Sequence, residues 1–190
     1  MNSIGCAKEK VRAVIAGSEV PEDPPHAENT LEWLRKLDPE ADQALQIAAL
    51  AHDIGRAVKD QQVRRADFKD YDAFKAAHAR IGATILRGIL RECGVAQSTA
   101  NEACRLVELH EVGGDPRSDL LKDADSISYF EVNMPLYYRR EGWHETKRRC
   151  IWGYRRLSVP MKEVAKSITY QDEVLTRLLR EAIADEPGDS

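Results

Sequence analysis

Ala41-Asp42-Gln43-Ala44-Leu45-Gln46-Ile47-Ala48-Ala49-Leu50-Ala51-His52-Asp53-Ile54-Gly55 decides how this chain reads. Apolar and small residues fill nearly every position from Ala41 to Ile54. A run that is apolar on all sides reads as a helix buried in the middle of a domain. His52 and Asp53 close it, and a histidine beside an aspartate in such surroundings is costly unless both are paired. Imidazole with carboxylate is a common ligand pair for a divalent cation. A structural His–Asp hydrogen bond is the commoner origin of such a pair, so the weight falls on the rest of the chain.

The chain has 190 residues, which suits one domain over 1–190 with a core of its own. Apolar residues make up 43% and charged residues 32%, ordinary for a soluble globular protein. A net charge of −4 gives no reason to expect general affinity for nucleic acid or anionic membrane. Cys6, Cys93, Cys104 and Cys150 are scattered without a Cys-x-x-Cys, so the expectation is reduced thiols in a cytoplasmic protein. No stretch nears the length of a membrane span, and no signal-peptide core opens the chain. The oligomeric state is left open.

The rest reads as helices. They are expected over about 7–16, 26–37, 71–92, 97–111, 117–140 with a kink at Pro135, and a single amphipathic 160–184. Ser18 to Pro25 is a proline-rich acidic loop, and the polar residues 56–70 form a long loop of a kind that often borders an active site. No window alternates like a strand. The expected fold is all-α, a single-domain helical bundle.

Four histidines fall on inward faces of four different helices. His26 shares a face with Thr30 and Trp33, His78 with Phe74, Ile81 and Ile85, and His110 follows Ala103, Leu106 and Val107. Each alone reads as a satisfied core histidine. Four on four helices, with Asp53 beside one of them, point to a shared metal site. His144 has no such stripe and reads as a surface residue. Asp123 and Asp125 offer a further carboxylate, and periodicity does not choose between them because both faces are apolar.

With these residues in place, the chain resembles the HD-domain superfamily of metal-dependent phosphohydrolases. The pattern is a histidine (His26), then His52-Asp53, then a distant aspartate after alanine, here Ala124-Asp125. The two-metal branch adds two histidines, matched by His78 and His110. The element His78-Ala79-Arg80-Ile81-Gly82-Ala83 is most similar to the diadenosine tetraphosphate hydrolases of that group. The resemblance covers about residues 24–132, leaving an N-terminal helix and a C-terminal helical extension over 141–185 outside it. Ala27 departs from the Ser or Thr that many members carry after the first histidine.

The resemblance implies an HD-type bundle in which His26, His52, Asp53 and Asp125 hold one cation. His78 and His110 hold a second, with Asp53 as the bridge. One or two divalent transition ions (Mn, Fe, Co, Ni or Zn) suit such ligands. A hydroxide on them would cleave a phosphate ester or anhydride of a nucleotide or other small molecule. Catalytic roles are expected for Asp53, Arg80 and Glu111, the last as a group supporting a neighbouring ligand or as a general acid. Arg56, Lys59 and Arg80 are candidate phosphate-binding cations, as are Arg139, Arg140, Lys147, Arg148, Arg149, Arg155 and Arg156, although salt bridges are the commoner fate of any one of them. Trp143, Trp152 and Tyr154 could stack a nucleobase or pack under the C-terminal helix. Two other readings stay open: a mixed-valent di-iron oxygenase built on the same ligands, and a regulatory module that binds a nucleotide without turnover.

Overall fold

Asp42 starts the buried helix, its side chain accepting the Leu45 amide at 3.0 Å while it pairs with Arg117 at 2.9 Å. A computed structural model describes residues 2–61 and 63–186; Gln62, inside the loop expected over 56–70, and the chain ends lie outside the described residues. In order come α1 (Ser3–Ile15), α2 (Asp23–Leu37), α3 (Gln43–Ala51), α4 (Tyr71–Glu92), α5 (Gln97–Leu109), α6 (Pro116–Ser128), α7 (Met134–Arg156), α8 (Val159–Ser167) and α9 (Glu173–Ala184). The described chain is all-helical, with no strand.

Within α3 every residue from Ala44 to Ala51 except Gln46 is buried, against α1, α2, α5 and α6. Leu45, Ile47 and Leu50 each add about 1.5–3 kcal/mol by leaving water, and the alanines between them let the neighbouring helices approach. This first core runs from Ala7 to Ala124. A second, from Ile127 to Ala182, joins the end of α6 to α7, α8 and α9, and Trp33 and Leu37 pack against both.

Two expectations about the helices change. The single helix over 160–184 is two, α8 and α9, because the Thr176 hydroxyl accepts the Tyr170 amide at 2.9 Å and Asp172 caps α9. The Tyr170 hydroxyl donates to the Phe130 carbonyl at 2.6 Å, anchoring that break to the core. The kink expected at Pro135 falls one turn earlier, as a π-helical turn over Tyr129–Asn133. Proline has no N–H to give, and the ladder adjusts upstream with Met134 N–H bonding the Tyr129 carbonyl. A further bend lies within α7 at Gly142, whose φ of 75° suits glycine.

The cysteines are corrected too. Cys6 in α1 and Cys93 at the end of α4 form a disulfide, with Cα atoms 5.7 Å apart, whereas Cys104 and Cys150 are free and buried. The two partners lie 87 residues apart and meet only because α1 packs on α4, which no local spacing reveals. Among the described residues no helix is long and apolar enough to cross a membrane.

Candidate metal centre

Helix ends aim the histidines. His52 and His110 are the C-terminal caps of α3 and α5, and each gives its Nδ1 proton to a carbonyl three residues back: Ala49 at 2.9 Å and Val107 at 2.7 Å. Those carbonyls lack helical partners, so the imidazoles satisfy them and turn Nε2 inward. His26, on α2, gives Nδ1–H to Ser128 Oγ at 2.8 Å, while that hydroxyl donates to the His26 carbonyl at 3.3 Å. Three rings thus share one orientation, Nδ1 anchored and Nε2 free for a ligand.

His78 arrives from α4. It is placed by a close approach between the turn after Asp53 and the middle of that helix. A Cβ on Gly55 would meet Gly82 N at 3.3 Å and the His78 carbonyl at 3.4 Å, so glycine sets this contact. Gly82 stands one turn after His78 on the same face, which brings His78 Nε2 to 2.9 Å from Asp53 Oδ1.

The ligand atoms fall into two neighbouring groups. His26, His52 and Asp125 offer donors within 4.8 Å of one another, as do Asp53, His110 and Glu111. Around His52 Nε2 lie His26 Nε2 at 3.2 Å, Asp125 Oδ1 at 3.4 Å and Asp53 Oδ2 at 3.7 Å. Asp53 stands between the groups, its other oxygen facing His78 at 2.9 Å and His110 Nε2 at 4.0 Å. The buried Nε2 of His110 has no hydrogen-bond partner and faces Glu111 Oε1 at 3.1 Å. Two acceptors so close, with a carboxylate alongside, fit a cation between them.

Charge in the cluster tells the same story. Burial lowers His52, but the Asp53 and Asp125 carboxylates outweigh it and push the ring up to about 9. Burial wins at His26 and lowers it. Asp53 is held well below the usual carboxylate range, because Arg56, His52 and His78 overcome the effect of burial. Asp125 is held low in the same way by His26, His52 and Arg156. The metal-free protein therefore keeps a proton where the nitrogen and carboxylate ligands converge.

Asp123 and Asp125 part company here. Asp125 faces His26 Nε2 at 3.1 Å, whereas Asp123 accepts the Ser158 amide at 2.8 Å, at the start of α8. Glu111 pairs with Lys75 and lies 3.3 Å from Arg156. Burial would raise its carboxyl, but Lys75, His110 and Arg156 hold it far below the usual range. Held between Lys75, His110 and Arg156, the Glu111 carboxylate suits an ion pair or a ligand position.

Several expected cations point elsewhere. Arg80 is exposed on α4 and bonds the Ala76 carbonyl at 3.1 Å; two residues from His78 is about 200° around a helix, the opposite face. Lys59 pairs with the exposed Glu19 at 2.5 Å, Arg139 is exposed, and Lys147 ties α7 to α9 through Glu181 and Asp185. Arg140 reaches the buried Glu22 at 2.6 Å. Arg56 does stand at the centre, 2.7 Å from Asp53 and 3.3 Å from Asp23. His144 is exposed, as expected.

What the sequence reading missed is Lys75, one turn before His78 on the same face, and the weight of Arg156. The Arg156 guanidinium lies 3.2 Å from Asp125 Oδ2 and donates to the His110 carbonyl at 3.0 Å, so one cation touches both groups. Trp152 carries Arg156, Arg149 and Lys75 over its ring at 4.5, 4.3 and 5.9 Å. Tyr154 is buried in the second core, and Trp143 packs beside Arg177 of α9. A cleft of about 190 Å³ opens beside His78, with Arg56, Lys75 and Arg149 among its lining.

A search of the curated proteins finds no match, and a search of the solved structures finds none. Residues 7–177 match a family described as "Domain of unknown function (DUF4202)", a span that includes both the ligand helices and most of the C-terminal extension. The chain belongs to the DUF4202 family.

Proposed function

We propose that this protein is a metal-dependent phosphohydrolase of the HD-domain type, acting on a phosphate ester or anhydride of a nucleotide or other small molecule. One observation carries the reading. Anchored histidines from α2, α3, α4 and α5 converge with Asp53 and Asp125 beside a cleft lined by Arg56, Lys75 and Arg149. A divalent cation held there supplies a hydroxide near neutral pH and positive charge for phosphoryl oxygens. His26, His52, Asp53 and Asp125 would hold one such ion, and His78, His110 and Glu111, sharing Asp53, would hold a second.

The chain's own groups prepare that chemistry. Arg156 balances Asp125 and Glu111 and fixes their spacing across the two groups. Arg56 and Lys75 stand where phosphate would enter. Trp152, under three cations, shields them from water and strengthens each charge.

The test loads metal-free protein separately with Mn, Fe, Co, Ni and Zn and follows phosphate release from a panel of phosphomonoesters and nucleotides. Metal-dependent release supports the reading. Oxygen consumption with iron alone, and no phosphate from any ester, would move the assignment to the di-iron oxygenase. Nucleotide binding without either activity would leave the regulatory module.

A further inference from the structure

The cleft beside His78 contains polar groups that the metal ligands leave without a purpose. Arg149 is the first. Its guanidinium lies between two aromatic faces, 4.4 Å from the Tyr129 ring centre and 4.3 Å from that of Trp152. Among the described residues no carboxylate comes within ion-pair distance of it, and its buried Nη1 has no hydrogen-bond partner. A stacked, unpaired guanidinium presents a planar fork of donors suited to phosphate oxygens.

Acceptors line the same cleft. Glu22 is 1% exposed; one of its oxygens takes Arg140 at 2.6 Å, and Oε2 is buried with no partner. Asn133 is 6% exposed, and its Oδ1 is likewise buried and unpartnered. Both residues line the cleft with Arg149. Inorganic phosphate at neutral pH carries only one or two P–OH donors, and they sit on the same small group that the arginine would hold. A ligand that satisfies both sets joins an anionic group to hydroxyl or amino donors. At about 190 Å³ the space falls below that of typical drug-sized sites, so the ligand is small.

The metal centre bears on the charge of this cleft. Lys75 is paired with Glu111 and Arg56 with Asp53, and both carboxylates belong to the candidate ligand set. Cations drawing on those carboxylates leave more of the Lys75 and Arg56 charge for an incoming anion. Arg149 owes nothing to either.

We infer that the cleft binds a phosphomonoester of a small, hydroxyl-rich alcohol, with Arg149 receiving the phosphate and Glu22 Oε2 and Asn133 Oδ1 receiving hydroxyl or amino donors. The inference deepens the phosphohydrolase reading and rests on it for the fate of the ligand, though not for its binding. A free sugar phosphate and the ribose phosphate of a nucleotide share this chemistry.

The experiment titrates metal-loaded protein by calorimetry with ribose 5-phosphate, adenosine 5′-monophosphate and inorganic phosphate. The wild type is compared with Arg149→Met, Arg149→Lys and Asn133→Leu, and metal content is measured in each. At least one ester should bind more tightly than inorganic phosphate, and which ester does so names the source. Arg149→Met should weaken all three by about 10–100-fold, the scale of hydrogen bonds to a charged group, with metal retained. Arg149→Lys, which keeps the charge and loses the fork, should weaken them less and covers the case in which the methionine variant does not fold. Asn133→Leu should narrow the gap between ester and inorganic phosphate. Unchanged affinities in both Arg149 variants, or inorganic phosphate binding at least as tightly as both esters in the wild type, would overturn the inference. Arg149-dependent binding with no phosphate release from any ester keeps the cleft and removes the phosphohydrolase. Release with an unchanged KM in both Arg149 variants does the reverse.

Discussion

The Nε2 atoms of His26 and His52 stand 3.2 Å apart although each ring has already given its Nδ1 proton away, to Ser128 and to the Ala49 carbonyl. Only a proton or a cation between them makes that approach favourable. Without metal it is a proton, with His52 pushed up to about 9 by Asp53 and Asp125 against the effect of burial.

A raised histidine has a definite sign. His52 stabilises the metal-free fold fully below its ordinary value of 6.5, and that contribution is lost as pH rises through about 9. A bound cation must displace the same proton. Apparent metal affinity should therefore climb about tenfold per pH unit between 6.5 and 9 and then level off. Metal titrations at about pH 7 and 8 check this, and equal affinities at the two would contradict it.

Asp125→Asn removes charge from among His26, His52 and Arg156. Metal affinity should fall by well over the roughly 10–100-fold typical of losing a supporting group. Asp123→Asn keeps an oxygen for the Ser158 amide, should cost under about 1 kcal/mol, and should retain metal. Metal analysis after dialysis separates the two variants. If Asp123→Asn comes out metal-free and Asp125→Asn does not, the assignment is reversed.

His78→Ala should lose about one metal equivalent while keeping its helical signal, because α4 is held by other buried residues, Ala79, Ala83, Leu86 and Leu90 among them. Circular dichroism with metal analysis tests this. A loss of helix with metal content unchanged would make His78 a packing residue.

The Cys6–Cys93 disulfide closes a long loop between α1 and α4. Reducing it should lower stability by about 2–4 kcal/mol through the freed unfolded chain. The denaturation midpoint of the wild type should fall with reductant, whereas that of Cys6→Ala should not respond. Equal wild-type midpoints with and without reductant would contradict the pairing.

Much of this was legible in the sequence because local patterns wrote it. The apolar run of α3 dictated burial on all sides, and inward stripes placed His26, His78 and His110 toward the centre that His52 closes. Asp125 was not decided by pattern, since Asp123 has an equally apolar face; the contact of α6 with the start of α8 separates them. The cations were the poorest part. A basic run in α7 cannot show which of its residues turns inward, and only the fold puts Arg149 and Arg156 on the Trp152 ring while Lys147 reaches α9. Arg80 failed for a local reason, the 100° step of a helix. The disulfide and the break before α9 depend on contacts far apart in the chain, through α1 on α4 and Tyr170 on Phe130.

The central claim is that Asp53 joins two cation sites through its two oxygens, one facing His52 at 3.7 Å and the other His78 at 2.9 Å. The measurement is the metal content of wild type and Asp53→Ala, both loaded with excess metal, dialysed, and checked for fold by circular dichroism. The wild type is expected to keep one or two equivalents and the variant essentially none, with phosphate release lost alongside, while both remain helical. A folded Asp53→Ala that keeps full metal content and near wild-type turnover would contradict the account.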